Sequence, residues 1–76
     1  MQLSILAFGQ VAGVTGTNIN IAPVKDTDEL LVVLKEQYPP LQNLQFAVAV
    51  NKKLVQQNRP LRGDETIALL PPFSGG

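Results

Sequence analysis

The chain has 76 residues, of which 45% are hydrophobic and 16% are charged. This length allows one small domain, and this composition lies on the globular side of the boundary with intrinsic disorder. The absence of Cys and His excludes disulfides, Cys/His zinc sites and any Ser-His or Cys-His nucleophile within the chain. Six basic and six acidic side chains balance, so we expect no electrostatic capture of nucleic acid or of an anionic membrane.

The longest aliphatic stretches, residues 30–34 and 46–50, are far shorter than the roughly 20 residues that span a bilayer. The N-terminus shows no basic segment before an apolar run and no small-residue cleavage pattern, so we expect no secretion signal. These two observations predict a cytoplasmic protein that does not enter the membrane.

Two segments near the N-terminus alternate apolar and polar residues, which is the period of a strand with one buried face. Residues 1–8 place their odd-numbered residues, all apolar, on one face, and residues 17–22 alternate isoleucine with asparagine. The segment between them contains Gly9, Gly13 and Gly16, whose spacing matches neither of the common phosphate-binding fingerprints. We therefore predict two strands joined by a turn, forming a hairpin.

A helix is predicted to begin near Thr27. Asp26 offers a side-chain oxygen to the amides of the first turn, and Glu29 stands three residues later, as in a capping box. Apolar residues then recur at spacings of three and four: Leu30, Val33, Leu34, Tyr38 and Leu41. Two prolines, Pro39 and Pro40, forbid continuation, so the helix has about three turns. Capping and the helix dipole account for the acidic residues here without catalysis.

The second half of the chain contains three further predicted strands. Residues 45–51 alternate valine with alanine, which suits a strand close to other backbones. A tight turn at residues 51–53 leads into a short strand at residues 54–55, and residues 56–60 form an irregular crossing segment. Arg62-Gly63-Asp64 has the composition of an adhesion motif, but its place before the last strand, residues 66–70, predicts a turn.

Strands therefore flank one helix instead of alternating with several helices. This order predicts an α+β fold, with a mixed sheet of four to five strands crossed by one main helix. The predicted core combines the inward residues of the strands with the helix stripe: Leu3, Ile5, Ile19, Ile21, Val48, Val50, Ile67, Leu69, Leu30, Val33, Leu34 and Tyr38.

The segment from Pro71 to the end reads Pro-Pro-Phe-Ser-Gly-Gly. Two prolines favour the polyproline II conformation, in which six residues extend by roughly 20 Å. Glycines without side chains fit a narrow channel, and Gly76 offers a carboxylate. A carboxylate becomes a good electrophile once adenylation by ATP turns its oxygen into a leaving group. The chain has no machinery for adenylation, so we infer a partner that activates Gly76.

The sequence resembles the ubiquitin-like β-grasp sulfur carriers, and among these the small subunits of molybdopterin synthases most closely. The resemblance spans nearly the whole chain and is carried by four motifs: Phe8-Gly9-Gln10-Val11 with Gly16, Ala49-Val50-Asn51, Gly63-Asp64-Glu65, and Leu69-Leu70-Pro71-Pro72-Phe73-Ser74-Gly75-Gly76. The chain departs from the family pattern in two places. Ala12-Gly13 stand where the family often has an Arg-Glu pair, and Thr66 is one extra residue before the last strand.

This resemblance implies a β-grasp domain over residues 1–70 and an extended tail over residues 71–76. It implies that an adenylating enzyme uses ATP to form a glycyl adenylate on Gly76 and that a sulfur donor converts it to a thiocarboxylate. The sulfur would then pass to a cyclic pyranopterin precursor, forming the dithiolene of molybdopterin. The catalytic residues would belong to the large synthase subunit, in a heterotetramer, and this chain would bind no cofactor of its own.

The face of the predicted sheet opposite the helix carries Leu6, Phe8, Ala68 and Leu70, an apolar set that indicates a docking surface. We expect Phe8, Leu70 and Phe73 to anchor both partners. The full set of predicted partner-binding residues is Phe8, Leu70, Pro71, Pro72, Phe73, Ser74 and Gly75.

Three other functions remain open at this point. The chain could carry sulfur for another pathway such as thiazole synthesis, could modify proteins as ubiquitin does, or could be an interaction domain with an inert tail. Removal of Gly75 and Gly76 separates the last from the others, because an inert tail predicts no loss of function. A lysine-linked adduct would favour the modifier.

Overall fold

The computed structural model of the protein describes residues 3–71. The described elements follow in the order β1 (Leu3–Ala7), α1 (Gly9–Thr15), β2 (Asn18–Ile21), α2 (Thr27–Gln37), a 3₁₀ helix (Pro39–Asn43), β3 (Ala47–Val50), β4 (Lys53–Val55) and β5 (Thr66–Leu70). All five predicted strands and the main helix are therefore confirmed. None of the helices within residues 3–71 is long and apolar enough to cross a membrane.

The five strands form one mixed sheet in the order β2-β1-β5-β3-β4. The pairing of β1 with β5 is parallel, with Ile5 opposite Ile67, and the three other pairings are antiparallel. The strand of alternating valine and alanine, β3, has a neighbour on each side as predicted, although β5 holds the central position. This is the β-grasp arrangement, an α+β fold.

One hydrophobic core joins α2 to the inner face of the sheet. The eight inward strand residues predicted from the alternation are all buried, and so are Leu30 and Leu34 of α2. Val33 and Tyr38, also predicted as core, are partly buried and pack at its margin. The core also contains residues that the predicted core did not include: Ala7, Val11, Val24 and Leu61.

The prediction of a simple turn between the first two strands was wrong. Strands β1 and β2 do pair as an antiparallel hairpin, but α1 occupies the connection. Glycine within a helix costs about 1 kcal/mol relative to alanine, which is why three glycines argued against a helix here. The helix forms because it buries Val11 against the core and packs Ala12 and Val14 beside it.

Two side chains cap the start of α2. Asp26 Oδ1 accepts a hydrogen bond from the Glu29 N–H at 2.9 Å, which confirms the predicted cap. Asn58, from the crossing segment, accepts a second bond from the Asp28 N–H at 2.9 Å. Thr27 exchanges hydrogen bonds with the backbone of Arg59 at 2.9 and 3.0 Å. The connection between β4 and β5 is thereby fastened to the helix.

The predicted Arg62-Gly63-Asp64 turn is present, and Glu65 holds it in place. The buried Glu65 carboxylate accepts hydrogen bonds from the Arg62 N–H at 2.7 Å and the Gly63 N–H at 2.9 Å. Gly63 has a φ of 108°, which favours glycine. Burial raises the pKa of Glu65, but these hydrogen bonds and the nearby charge of Arg59 outweigh it and hold the pKa below the ordinary value of 4.5.

We expect the stability of the fold to decrease in acid through Glu65 and Asp26. The bond from the Glu29 N–H is the main reason that the pKa of Asp26 lies below its ordinary value of 3.8. A carboxyl with a lowered folded-state pKa stabilises the fold above its ordinary pKa, and this stability is lost as the pH falls through the folded-state value. Urea unfolding midpoints should therefore fall once the pH drops below about 4.5, the ordinary value for Glu65.

Two variants test this assignment. Asp26→Asn keeps an N-cap without a titrating group, so its midpoint at neutral pH should change little while the acid dependence flattens. Glu65→Ala leaves the Gly63 N–H without its partner and should cost about 1–3 kcal/mol of unfolding free energy at neutral pH. An acid dependence in both variants equal to that of the wild type would contradict the assignment.

Candidate functional site

An apolar surface covers the side of the sheet that faces away from α2. Its central row runs across four strands, because Leu6 lies opposite Ala68, Ala68 opposite Ala49 and Ala49 opposite Leu54. Phe8 and the pair of Leu70 with Ala47 form the next row. We call these seven residues the apolar face: Leu6, Phe8, Ala47, Ala49, Leu54, Ala68 and Leu70.

The large side chains of the apolar face are open to solvent. Phe8 is 46% exposed, Leu54 51% and Leu6 39%. Ala68 and Ala49, which lie between Leu6 and Leu54, have small side chains, so the larger side chains project above the surface between them. Contiguous exposed apolar side chains on a small domain are typical of a surface that binds another protein.

Polar residues bound the apolar face on two sides. Ser4 lies opposite both Asn20 and Thr66 at the start of β1 and β5, and Asn18 lies opposite Leu6 on the edge strand β2. The apolar residues are therefore concentrated toward the ends of β1 and β5. Because these two strands are parallel, both end at the same edge of the sheet.

The chain leaves the last strand at this same edge. The Phe8 N–H donates to the Leu69 carbonyl at 3.0 Å, which brings the end of β1 beside the end of β5. Pro71 then lies against Gly9, where a Cβ atom on the glycine would stand only 2.8 Å from Pro71 Cγ. The start of the C-terminal segment is thus in contact with the first residue of α1.

The acidic side chains with shifted pKa values serve the fold and lie outside the apolar face. Asp26 is bound to the start of α2, and Glu65 is bound to the turn before β5. Their lowered pKa values keep them ionised near neutral pH, which makes them poor proton donors there. Within residues 3–71, no group of three or more Asp or Glu residues is placed to hold a metal ion.

The structure brings together the predicted site residues that it describes. Phe8 and Leu70 share the apolar face with Leu6 and Ala68, and Pro71 follows directly. The other predicted residues lie outside the described range: Pro72, Phe73, Ser74, Gly75 and Gly76. Whether any of these residues binds a partner stays a prediction.

Sequence reasoning did not assign Leu54, Ala47 and Ala49 to this surface. The alanines were expected to approach another backbone, and their alternation with buried valines was the signal that they share the outer side. Leu54 belongs to a strand of three residues, which is too short for an alternation to show. Only its pairing with Ala49 reveals its side of the sheet.

We expect single polar substitutions on the apolar face to leave the fold intact. Phe8→Ser and Leu54→Ser remove exposed side chains and should change the free energy of unfolding by less than about 1 kcal/mol. Leu69→Ala, on the buried side of β5, is the matched control and should cost about 2–5 kcal/mol. Urea unfolding of the three variants tests this, and a Leu54→Ser loss as large as that of Leu69→Ala would show that this surface supports the fold.

Comparison with known proteins gives consistent matches. The family model described as the ThiS family matches residues 5–76. The molybdopterin synthase sulfur carrier subunit of Chlamydomonas reinhardtii is 29% identical over 83 residues, covering all of both chains. A chain in the solved protein-protein complex of subunits 1 and 2 of molybdopterin-converting factor from Helicobacter pylori superposes with a TM-score of 0.71 at 30% identity, again covering both chains completely.

Proposed function

The chain belongs to the ThiS family, and on that basis we propose that it is a sulfur carrier and the small subunit of a molybdopterin synthase. The resemblance noted in the sequence agrees with the match to the relative from Chlamydomonas reinhardtii. That relative is a molybdopterin synthase sulfur carrier subunit, and the match covers the full length of both chains. In this role the protein presents sulfur on its C-terminus, and a larger partner performs the chemistry.

One structural observation carries this proposal beyond the family match. The apolar face and the start of the C-terminal segment lie at the same edge of the sheet. There the Phe8 N–H donates a hydrogen bond to the Leu69 carbonyl, and Gly9 contacts Pro71. A partner that covers the apolar face is therefore adjacent to the point from which residues 72–76 depart. This placement suits a domain that docks by its sheet and delivers its terminus to the partner.

The proposed loading chemistry takes place on the carboxylate of Gly76. The carboxylate attacks the α-phosphate of ATP, pyrophosphate leaves, and a glycyl adenylate forms on the activating enzyme. The outer sulfur of a donor persulfide then attacks the acyl carbon and AMP leaves, which gives an acyl disulfide between Gly76 and the donor. A thiol attacks the donor sulfur of this disulfide, so that a new disulfide forms with the donor and the thiocarboxylate is released. In this scheme the activating enzyme binds and uses ATP, and the carrier chain binds no cofactor of its own.

The proposed acceptor is a cyclic pyranopterin precursor held by the large synthase subunit. A dithiolene contains two sulfur atoms, so each product molecule consumes two loaded carriers. The acidic groups of this chain with lowered pKa values are hydrogen-bonded within the fold, so general acid and base catalysis falls to the larger subunit. We propose a heterotetramer in the cytoplasm, with the apolar face against the large subunit and, at another stage, against the activating enzyme.

We expect loading to appear as a change in the intact mass of the protein. After incubation with ATP, an adenylating enzyme and a sulfur donor, the mass should increase by the difference between sulfur and oxygen. The matched control lacks Gly75 and Gly76 and should stay unmodified. A failure to modify the full chain, with an enzyme competent toward its own carrier, would contradict the proposal.

Transfer then distinguishes the proposed pathway from the alternatives. Loaded protein mixed with the large synthase subunit and pyranopterin precursor should lose its sulfur and form the dithiolene. Loss of sulfur only to a thiazole synthase would assign the carrier to that pathway. A lysine-linked adduct in place of a thiocarboxylate would make the protein a modifier.

Docking through the apolar face predicts a specific loss of affinity. Phe8→Asp or Leu54→Asp places a charge on the apolar face, which the partner would bury, and should weaken binding to the large subunit at least about tenfold. Val32→Asp is the matched control, because Val32 is 55% exposed on α2, on the opposite side of the sheet. Calorimetric titration measures the three affinities. Equal affinities for Phe8→Asp and Val32→Asp would exclude the apolar face as the docking surface.

A further inference from the structure

Three glycines lie close together between β1 and β2, and the structure gives each a different environment. Gly13 has ordinary helical backbone, and a Cβ there would meet nothing within 4 Å. Gly16 has a φ of 83° at the end of α1, but a Cβ there would also meet nothing within 4 Å. Gly9 combines a positive φ of 63° with a close neighbour, and that neighbour is Pro71.

The contact between Gly9 and Pro71 leaves no room for a side chain. A Cβ on Gly9 would lie 2.8 Å from Pro71 Cγ and 3.6 Å from both Pro71 Cβ and Cδ. The Cγ atom belongs to a ring closed onto the backbone, so it moves away only with limited ring pucker or with the backbone of residue 71. Substitution at Gly9 therefore displaces the start of the C-terminal segment, whereas substitution at Gly13 or Gly16 does not touch it.

We propose that Gly9 is a positioning residue. Its lack of a side chain leaves the space that the Pro71 ring occupies, which we call the seat, and this contact fixes the point and direction from which residues 72–76 leave the domain. The inference rests on the proposed function, in which Gly76 must reach the reacting site of a docked partner. It assigns a delivery role to a residue that is outside the C-terminal segment and carries no functional group.

The surrounding structure makes this seat rigid. The Phe8 N–H is bonded to the Leu69 carbonyl, and Ala7 lies opposite Leu69 in the parallel pairing of β1 with β5. Pro71 has its own φ restricted by its ring. The contact therefore joins the start of α1 to the residue that follows β5, next to strands that are already paired, and it limits the conformational freedom of Pro71 that has to be lost when the terminus is delivered.

This arrangement predicts separate kinetic effects for docking and delivery. The apolar face is made of seven side chains, and neither Gly9 nor Pro71 belongs to it, so displacing Pro71 leaves these seven side chains in place. The docked carrier would then present its carboxylate in the productive position less often. Misplacing a reacting group by about 1 Å can reduce a rate by as much as 10²-fold. The loss should appear in kcat for thiocarboxylate formation and leave KM for the carrier unchanged.

The test compares five variants in the loading reaction: Gly9→Ala, Gly13→Ala, Gly16→Ala, Pro71→Ala and the double variant Gly9→Ala with Pro71→Ala. We expect Gly9→Ala to lower kcat at least about tenfold, with KM within about twofold of the wild type. Gly13→Ala should load like the wild type. Gly16→Ala has the strain of a positive φ without the contact, so it should lower the thermal midpoint and keep kcat.

The double variant separates the contact from backbone strain. Alanine at residue 71 keeps the Cβ atom at 3.6 Å and removes the Cγ atom at 2.8 Å, so the collision disappears while the strain at residue 9 remains. We expect kcat of the double variant to equal that of Pro71→Ala alone. Additive losses in kcat, or a wild-type kcat for Gly9→Ala, would overturn the inference.

A second measurement keeps the inference testable when loading or folding fails. An NMR cross-peak between the Gly9 α-protons and the Pro71 ring is expected in the wild type and in Gly13→Ala, and its absence in the folded wild type would overturn the inference. If Gly9→Ala does not fold, Pro71→Gly, which removes the ring that contacts Gly9, should lower kcat, and a wild-type kcat for this variant would overturn the inference. If the wild type forms no thiocarboxylate, the proposed function is refuted instead. The NMR cross-peak then still decides whether Gly9 contacts the Pro71 ring.

Discussion

The parallel pairing of β1 with β5 is the constraint on which the rest of the molecule depends. It places the first and the last described strands side by side near the centre of the sheet, with Ile5 and Ile67 opposite each other and fully buried. Parallel strands end at the same edge, so Phe8 and Pro71 become neighbours. The contact of Gly9 with Pro71 and the position of the start of the C-terminal segment beside the apolar face both follow from this pairing.

A parallel pair needs a long connection between its strands, and the polar residues of this chain secure that connection. Asn58 and Thr27 bind the crossing segment to the start of α2, and Glu65 binds the turn that leads into β5. All three side chains are used in hydrogen bonds within the fold. They fix the start of β5 relative to α2, and none of these three residues belongs to the apolar face.

The sequence predicted those elements whose information is local. Alternation identified the strands, and Asp26 with the apolar stripe identified α2 with its cap. Helix α1 was missed because its glycines weaken the local signal, whereas its stability comes from burying Val11 in a core built by other elements. Asn58 and Leu54 were missed for a related reason. The role of each depends on a partner that is distant in sequence, and no pattern within a short segment shows that pairing.

The contact between Gly9 and Pro71 extends the same reasoning to function. The sequence predicted glycine at residue 9 only as part of a turn, whereas the structure makes it the first residue of α1, with a φ of 63°. Its second property, contact with a ring near the other end of the chain, exists only once β1 and β5 have paired. In the proposed function, one domain can then bind its partner through the apolar face and position its C-terminus through the contact of Gly9 with Pro71. In that function, the same apolar face binds first the activating enzyme and then the large subunit, so the carrier has to leave the first partner before it reaches the second. Modest affinity of this face is then compatible with efficient transfer, because a well-placed terminus reacts in each docked complex.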